Sequence, residues 1–251
     1  MLIKSFNFSV LETICYLVAD EKSYEALVID CNIRTQKEKE LLYKEIREHN
    51  LQLKYIINTH HHIDHTSGNA LLKKEFGAQI LIHELDALVL PEQWQWFEKT
   101  HNIMGEPLCD NCKDVKLNLK IMPEQKKVII YCDKCGFKYE IFPSPPADRL
   151  LRNNNIIKLG DIEFKVMHTP GHSPGGICLY SEKEHVLFSG DTLFALSKGR
   201  TDMFDGSEQD MKKSLKELMK LPEDTVVYPG HMGLSTIGKE KKENPYVLGI
   251  K

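Results

Sequence analysis

The chain has 251 residues, 41% of them hydrophobic and 27% charged, with a formal net charge of -3 and a pI of about 6.4. This composition supports one principal domain with a large core and some length to spare, and offers no global reason to expect a nucleic acid or an acidic membrane as partner. No stretch approaches about 18 uninterrupted apolar residues, and the N-terminal segment carries Lys4 and Glu12 without a signal-type apolar core, so the expectation is a cytoplasmic protein with no membrane association.

Leu2–Phe8, Thr13–Ala19 and residues 26–30 read as strands, the last two separated by a charged turn. Residues 36–49 read as a helix with Leu42 and Ile46 on one side and a solvated mix of Glu and Lys elsewhere. Residues 53–58 form a short apolar run rich in Ile and Tyr, expected as a buried strand. Ser67 is the expected N-cap of a helix over 68–76, and Gln79–His83 is a further strand. In the second half Val166, residues 187–188 and residues 226–227 mark apolar strands. Ser207, with Asp210 three residues on, caps a helix whose Met211, Leu215 and Leu218 face the core. Strands alternating with helices in both halves predict an α/β fold.

Residues 59–65 read Thr-His-His-His-Ile-Asp-His, an H-x-H-x-D-H pattern formed by His60, His62, Asp64 and His65 where the strand 53–58 ends. In extended backbone His60 and His62 point to one side, and a turn toward Ser67 would bring Asp64 and His65 back beside them. Imidazoles and a carboxylate suit zinc or ferrous iron, and a set this dense can serve one metal or two. A solvated loop or an adventitious metal binder would also show such a run. Three later segments argue against that reading: Thr169-Pro-Gly-His172, Ser189-Gly-Asp191-Thr192 and Tyr228-Pro-Gly-His231. Each sets one metal-type ligand in a tight turn after an expected strand. Ser173 and Ser189 flank ligands and read as hydrogen-bonding turn residues, leaving no rival nucleophile.

The spare length carries a second cysteine-based pattern. Cys109-Asp-Asn-Cys112 and Cys132-Asp-Lys-Cys135 are two C-x2-C knuckles with nineteen residues between them, close to zinc-site spacing. Residues 115–122 and Lys127–Tyr131 are expected to pair, with 137–141 as a third strand, giving a zinc-ribbon-like module over 105–140 inserted between domain segments 1–104 and 141–251. Its core is too small to offset the ordering entropy of some thirty residues, so a structural zinc, or iron on the same thiolates, would supply much of its folding free energy. Between Cys109 and Glu140 seven Lys stand against five acidic residues, a mildly basic balance that gives little support to a nucleic-acid grip, while a protein partner through the ribbon stays open. Cys15, Cys31 and Cys178 read as small buried residues without disulfides. His61 should point away from the metals, and His168 could support a ligand from behind. His49, His83, His101 and His185 read as surface or packing residues, and Trp94 and Trp96 as packing between insert and core.

The order His-x-His-x-Asp-His, His, Asp, His resembles the metallo-β-lactamase superfamily over nearly the whole chain except the insert. The resemblance implies an αββα sandwich with the ligand loops gathered at one edge of two facing sheets. It implies a binuclear site: His60, His62 and His172 on the first metal, Asp64, His65 and His231 on the second, and Asp191 bridging, with zinc the expected metal and iron or manganese the alternatives. Two ions about 3.5 to 4 Å apart would share a water made hydroxide at neutral pH. The segment from Tyr228-Pro-Gly-His231 through Glu240 and Asn244-Pro-Tyr246, with Gly190-Asp-Thr-Leu-Phe194 and Gly199-Arg-Thr-Asp202, resembles the short glyoxalase II-like (hydroxyacylglutathione hydrolase-like) enzymes. These cleave thioesters such as S-lactoylglutathione. The resemblance implies attack by a metal-bridging hydroxide that Asp64 helps orient, with Arg200 contacting a substrate carboxylate or making an ordinary salt bridge. A counterpart of the C-terminal helical domain with which full-length glyoxalase II grips glutathione is not expected in the twenty residues after His231, so another thioester substrate is open. The alternatives are a mononuclear iron persulfide dioxygenase using His60, His172 and Asp191, a lactone or phosphodiester hydrolase, and a non-enzymatic adaptor for protein or RNA built on the ribbon.

Overall fold

The run Thr13–Ala19 shows how the layers arise, because it is apolar at every position after the first and strand alternation sorts its side chains to two faces. Cys15, Leu17 and Ala19 join Leu42, Tyr43 and Ile46 of the helix Gln36–Glu48 on one side. Tyr16 and Val18 join Phe164, Leu179 and Phe188 of the second half of the chain on the other. A sheet buried on both faces results, and the layer order is helix, sheet, sheet, helix.

The structure is a computed structural model that describes residues 1–8, 12–33, 35–95, 99, 108–109, 111–141 and 143–250. Trp96, His101 and the expected insert boundary at 104–105 lie outside the described residues. In chain order the first half holds β1 (Leu2–Phe8), β2 (Thr13–Ala19), β3 (Glu25–Ile29), α1 (Gln36–Glu48), β4 (Gln52–Ile57), α2 (Ile63–Thr66), α3 (Asn69–Phe76), β5 (Gln79–His83) and α4 (Glu84–Ala87). The ribbon strands β6 (Asn118–Met122), β7 (Lys127–Tyr131) and β8 (Lys138–Ile141) follow. The second half holds β9 (Arg149–Leu151), β10 (Ile156–Leu159), β11 (Ile162–His168), β12 (Ile177–Ser181), β13 (Val186–Gly190), β14 (Leu193–Phe194), β15 (Ser197–Lys198), α5 (Glu208–Leu218), β16 (Val226–Pro229), β17 (Ser235–Thr236), α6 (Ile237–Glu243) and α7 (Pro245–Leu248).

The first sheet has the order β1-β2-β3-β4-β5-β9 and the second β10-β11-β12-β13-β16-β17, while β6-β7-β8 form a separate antiparallel sheet. On the outer face of the second sheet Leu187 and Val227 pack against Met211, Leu215 and Leu218 of α5, whose cap Ser207 accepts from the Asp210 N–H as the sequence predicts. Between the sheets the Tyr16 ring meets Phe188 and Tyr228 edge-on at 5.2 and 5.6 Å, and its hydroxyl donates to the Pro229 carbonyl at 2.7 Å. Strand β13 is parallel to β16 and antiparallel to β12, which is antiparallel to β11. The strands β11, β13 and β16 therefore run one way and end at one edge, and the loops that carry His172, Asp191 and His231 start there.

Two local expectations are corrected. Ser67 does not cap the helix that follows it: it ends the short α2, and α3 starts after Gly68 with no side-chain cap. The chain is already helical from Ile63, where Thr66 Oγ1 donates to the His62 carbonyl at 3.1 Å. The first ribbon strand begins at Asn118 rather than at 115, because Lys116 is drawn into an isolated bridge with Leu108 beside Cys109. Among the described residues no helix is long and apolar enough to cross a membrane. Phe188→Ala would open a cavity between the two sheets and is expected to lower unfolding free energy by about 3 to 5 kcal/mol, read from urea unfolding.

Candidate metal centre

The loop after β4 and the loops after β11, β13 and β16 bring seven donors together. His60, His62 and His172 place one ligand atom each within 4.8 Å of one another, and so do Asp64, His65 and His231, and His60, His65 and Asp191. His172 Nε2 stands 2.9 Å from His62 Nδ1. In the other set the Nε2 atoms of His65 and His231 are 3.4 Å apart, and each lies 3.5 Å from Asp64 Oδ2. Asp191 divides its oxygens, with Oδ1 at 3.5 Å from His65 and Oδ2 at 3.4 Å from both His172 and His231. Two nitrogens about 2.0 to 2.1 Å from one ion stand about 2.9 Å apart at a right angle and about 3.4 Å apart at the tetrahedral angle. The observed separations match that range. His60 Nε2 and Asp191 Oδ1 are buried with no hydrogen-bond partner, as donors aimed at an ion would be. A divalent metal fits this set.

Three of the imidazoles, His172, His60 and His65, are aimed by the ring nitrogen that faces away from the cluster. His172 Nδ1 donates to the Arg200 carbonyl at 2.8 Å, which leaves Nε2 free of a proton. Thr59 Oγ1 donates to Asp30 Oδ2 at 2.8 Å and so accepts from His60 Nδ1 at 3.1 Å. His65 Nδ1 lies 3.0 Å from the same Asp30 oxygen, and Thr59 N–H donates to the other at 2.8 Å. Asp30 therefore orients two ligands and the residue before the motif. Thr13 Oγ1 donates to Asp64 Oδ2 at 2.9 Å.

His61 faces away from the main cluster as expected, but it is not idle. Its ring sits between Asp86 Oδ2 at 3.0 Å and Asp205 Oδ2 at 3.3 Å. Asp86, fully buried on α4, also accepts from the His61 N–H at 3.1 Å, Ser173 Oγ at 2.8 Å and the Gly175 N–H at 2.6 Å. One carboxylate thus ties the His60–His65 loop to the loop of His172. Sequence reasoning missed Asp30, Asp86 and Asp205, since each is far along the chain from the residues of the His60–His65 loop that it contacts.

Burial, with added repulsion among the rings, pushes His60 and His62 well below the ordinary imidazole value, and burial lowers His172, so all three are neutral ligand forms. In the second set burial works against charge, but Asp191 and Asp64 outweigh it and raise His65 to about 9 and His231 to about 11. Asp64 and Asp191 are held well below the carboxylate range, against their burial, by the same imidazoles. Two buried carboxylates thus attract positive charge that bound cations would supply in place of protons.

Space at the centre is closely set. A Cβ on Gly230 would stand 2.3 Å from Asp191 Oδ1 and 2.9 Å from His65 Cε1, so the residue before His231 has to be glycine for these donors to meet. A Cβ on Gly171, before His172, would strike the Met211 backbone at 2.5 Å, and its φ of +143° also favours glycine.

Ser173 and Ser189 are the turn residues expected, with Ser189 Oγ donating to the Leu193 carbonyl at 2.7 Å. His168 stacks on His83 at 4.1 Å and touches the Pro174 carbonyl at 2.9 Å, so it braces the His172 loop from outside the centre. The Arg200 guanidinium makes a two-point pair with Asp202 at 2.7 and 2.9 Å. Cys15, Cys31 and Cys178 are buried and free. In the insert Cys109 Sγ is 3.6 Å from Cys135 Sγ and Cys112 Sγ is 3.8 Å from Cys132 Sγ. Four sulfurs about 2.3 Å from one tetrahedral ion stand about 3.8 Å apart, so this cluster has the dimensions of a zinc-thiolate site.

The sequence model of the Metallo-beta-lactamase superfamily matches residues 10–231, and the chain belongs to that superfamily, whose members are mostly metal-dependent hydrolases. Among its relatives is the hydroxyacylglutathione hydrolase GloC of Haemophilus influenzae, 31% identical over 93% of this chain and 92% of that protein. The crystal structure of the BLEG-1 B3 metallo-beta-lactamase is similar with a TM-score of 0.75 and 28% identity, covering 98% of this chain and 99% of that one. That of TTHA1623 in a di-iron-bound form has a TM-score of 0.72 and 26% identity, covering 97% and 99%.

Asp86→Ala would strand several buried donors and is expected to cost at least about 2 kcal/mol of stability. It should also weaken metal binding at the His and Asp cluster about 10- to 100-fold. Urea unfolding and competition with a chelating dye read the two effects. Gly230→Ala is expected to lower the metal content of that cluster, measured by elemental mass spectrometry, and to lower the urea midpoint as well, because the added methyl is forced against Asp191 and His65.

Proposed function

We propose that the protein is a binuclear metal-dependent hydrolase that cleaves a thioester such as S-lactoylglutathione. The observation that carries this reading is Asp191, whose two oxygens face both donor sets at 3.4 to 3.5 Å. On this reading His60, His62 and His172 hold one ion, Asp64, His65 and His231 the other, and Asp191 both. Bound divalent ions at such a site supply a hydroxide at neutral pH and polarise the carbonyl that it attacks.

The chain's own residues do the rest. The Arg200 carbonyl and Thr59 hold the protons of His172 and His60 on the outer nitrogens, so the inner ones stay available. Asp64, fixed by Thr13, orients the nucleophile with the oxygen that faces His65 and His231. Arg200 exchanges its exposed partner Asp202 for a substrate carboxylate, a small loss because an exposed ion pair contributes little. The exposed Phe204, Met232 and Leu234 offer apolar surface for the acyl or thiol portion. The similarity to a hydroxyacylglutathione hydrolase over nearly the full length of both chains supports the thioester class.

The test is metal content together with turnover. Protein purified without added metal is expected to carry about three divalent ions per chain, two at the His and Asp cluster and one at the thiolates. It should release a thiol from S-lactoylglutathione, detected with a thiol reagent. Asp191→Ala is expected to lower kcat/KM at least about 100-fold, whereas Arg200→Ala should act mainly on KM. A single iron at the His cluster, no thiol release and oxygen uptake with a persulfide would overturn the reading.

A further inference from the structure

The ribbon is packed onto the loop that carries the metal ligands. Its apolar core consists of Cys109, Leu117, Val128, Ile130 and Cys132, flanked by Trp94, Leu119 and Phe137, and it contains one buried residue from the main domain, Ile63. Ile63 is the residue between His62 and Asp64, and it belongs to none of the three apolar clusters of the sandwich. Two of the four thiols are members of the same cluster, so the covering of Ile63 is continuous with the thiolate site.

A second link joins the root of the insert to the same loop. The buried Gln93 amide donates to the His61 carbonyl and to Thr66 Oγ1, on either side of Ile63, and its oxygen accepts from the Ser144 N–H at 2.9 Å. Gln93 and Ser144 flank the insert on its two sides, so this side chain joins the base of the insert to the ligand loop. Lys126 of the ribbon turn pairs with the neighbouring Glu92 at 2.8 Å.

We propose that the four thiolates bind a divalent metal of the zinc class, and that this ion sets the affinity of the His and Asp centre by holding Ile63, and through it His62 and Asp64, in ligating position. The inference rests on the reading of that cluster as a metal centre. The physical reason is size. Among the described residues the cluster has six buried members, two of them thiols and one of them Ile63 itself, with partly buried residues around them, too little to order the insert without the metal. Without the ion, Ile63 loses its packing partners and the short α2 loses its outer support. The ligands then have to be ordered at the moment of binding, which weakens the centre. Coupling of this kind is reciprocal, so loading the His and Asp centre tightens the thiolate site by the same factor.

Cobalt(II) distinguishes the two sites, because thiolate-to-cobalt charge transfer appears only at the ribbon. In the full-length protein the double variant Cys112→Ser with Cys135→Ser is expected to lose that band and to bind cobalt at the His and Asp centre at least about tenfold more weakly, the scale typical of lost support behind ligands. Ile63→Ala keeps all four thiols and is expected to retain the band while showing the same weakening, and Ile63→Leu should return to within about threefold of the parent. The Ile63 pair decides the matter if the cysteine variant fails to fold. Parent affinity at the His and Asp centre in Ile63→Ala would overturn the coupling and leave the proposed hydrolase intact. Cobalt bound by the unaltered protein at the thiolates alone would overturn the metal centre itself.

Discussion

Five imidazoles and two carboxylates gather in a largely buried cluster, with neighbouring donor atoms as close as 2.9 to 3.5 Å. Crowding so many polar groups away from water is unfavourable unless cations sit among them and each ring is held from behind. Much of the rest of the structure follows from that constraint. Asp30 and the Arg200 carbonyl stand behind the ligands His65 and His172, while Asp86 and Asp205 hold His61, the ring beside them. A metal centre of this density is therefore a property of the packed domain rather than of one loop.

The ligands come from both halves of the sandwich, so the two sheets have to be held in register. Ile177 N–H donates to the Thr59 carbonyl at 2.9 Å, and Ile14 N–H donates to the Gly230 carbonyl at 2.8 Å, joining backbone of one half to backbone of the other beside the ligands. Tyr16 adds its hydroxyl to Pro229 from within the inter-sheet core. Asp86 does the same with a side chain, and because it is buried its bonds are not exchanged with water. Core packing and site geometry are thus the same interactions seen from two sides.

The insert raises a different physical problem. A three-stranded sheet of this size cannot bury enough apolar surface to be ordered alone, and it meets the shortage in two ways. Its thiols stand at the spacing of a tetrahedral zinc site, and its core takes in Ile63 from the ligand loop. The second of these makes the ribbon more than an appendage, since the residue it covers lies between two ligands.

The sequence by itself determined the α/β layering, the faces of α1 and α5 and the candidate donors, because these are written in short-range patterns. Strand and helix periods, turn residues before each ligand and the spacing of the cysteines need no knowledge of distant contacts. Local competition misled it at Ser67, where the chain was already helical and Gly68 took the start of the next helix. The tertiary structure alone decided which lone acids stand behind which imidazoles, that Arg200 is paired with Asp202, and that Ile63 belongs to the ribbon. Those facts join residues about 25 to 145 positions apart or turn on a side chain's choice among several partners, and three-dimensional packing, not a sequence period, settles them.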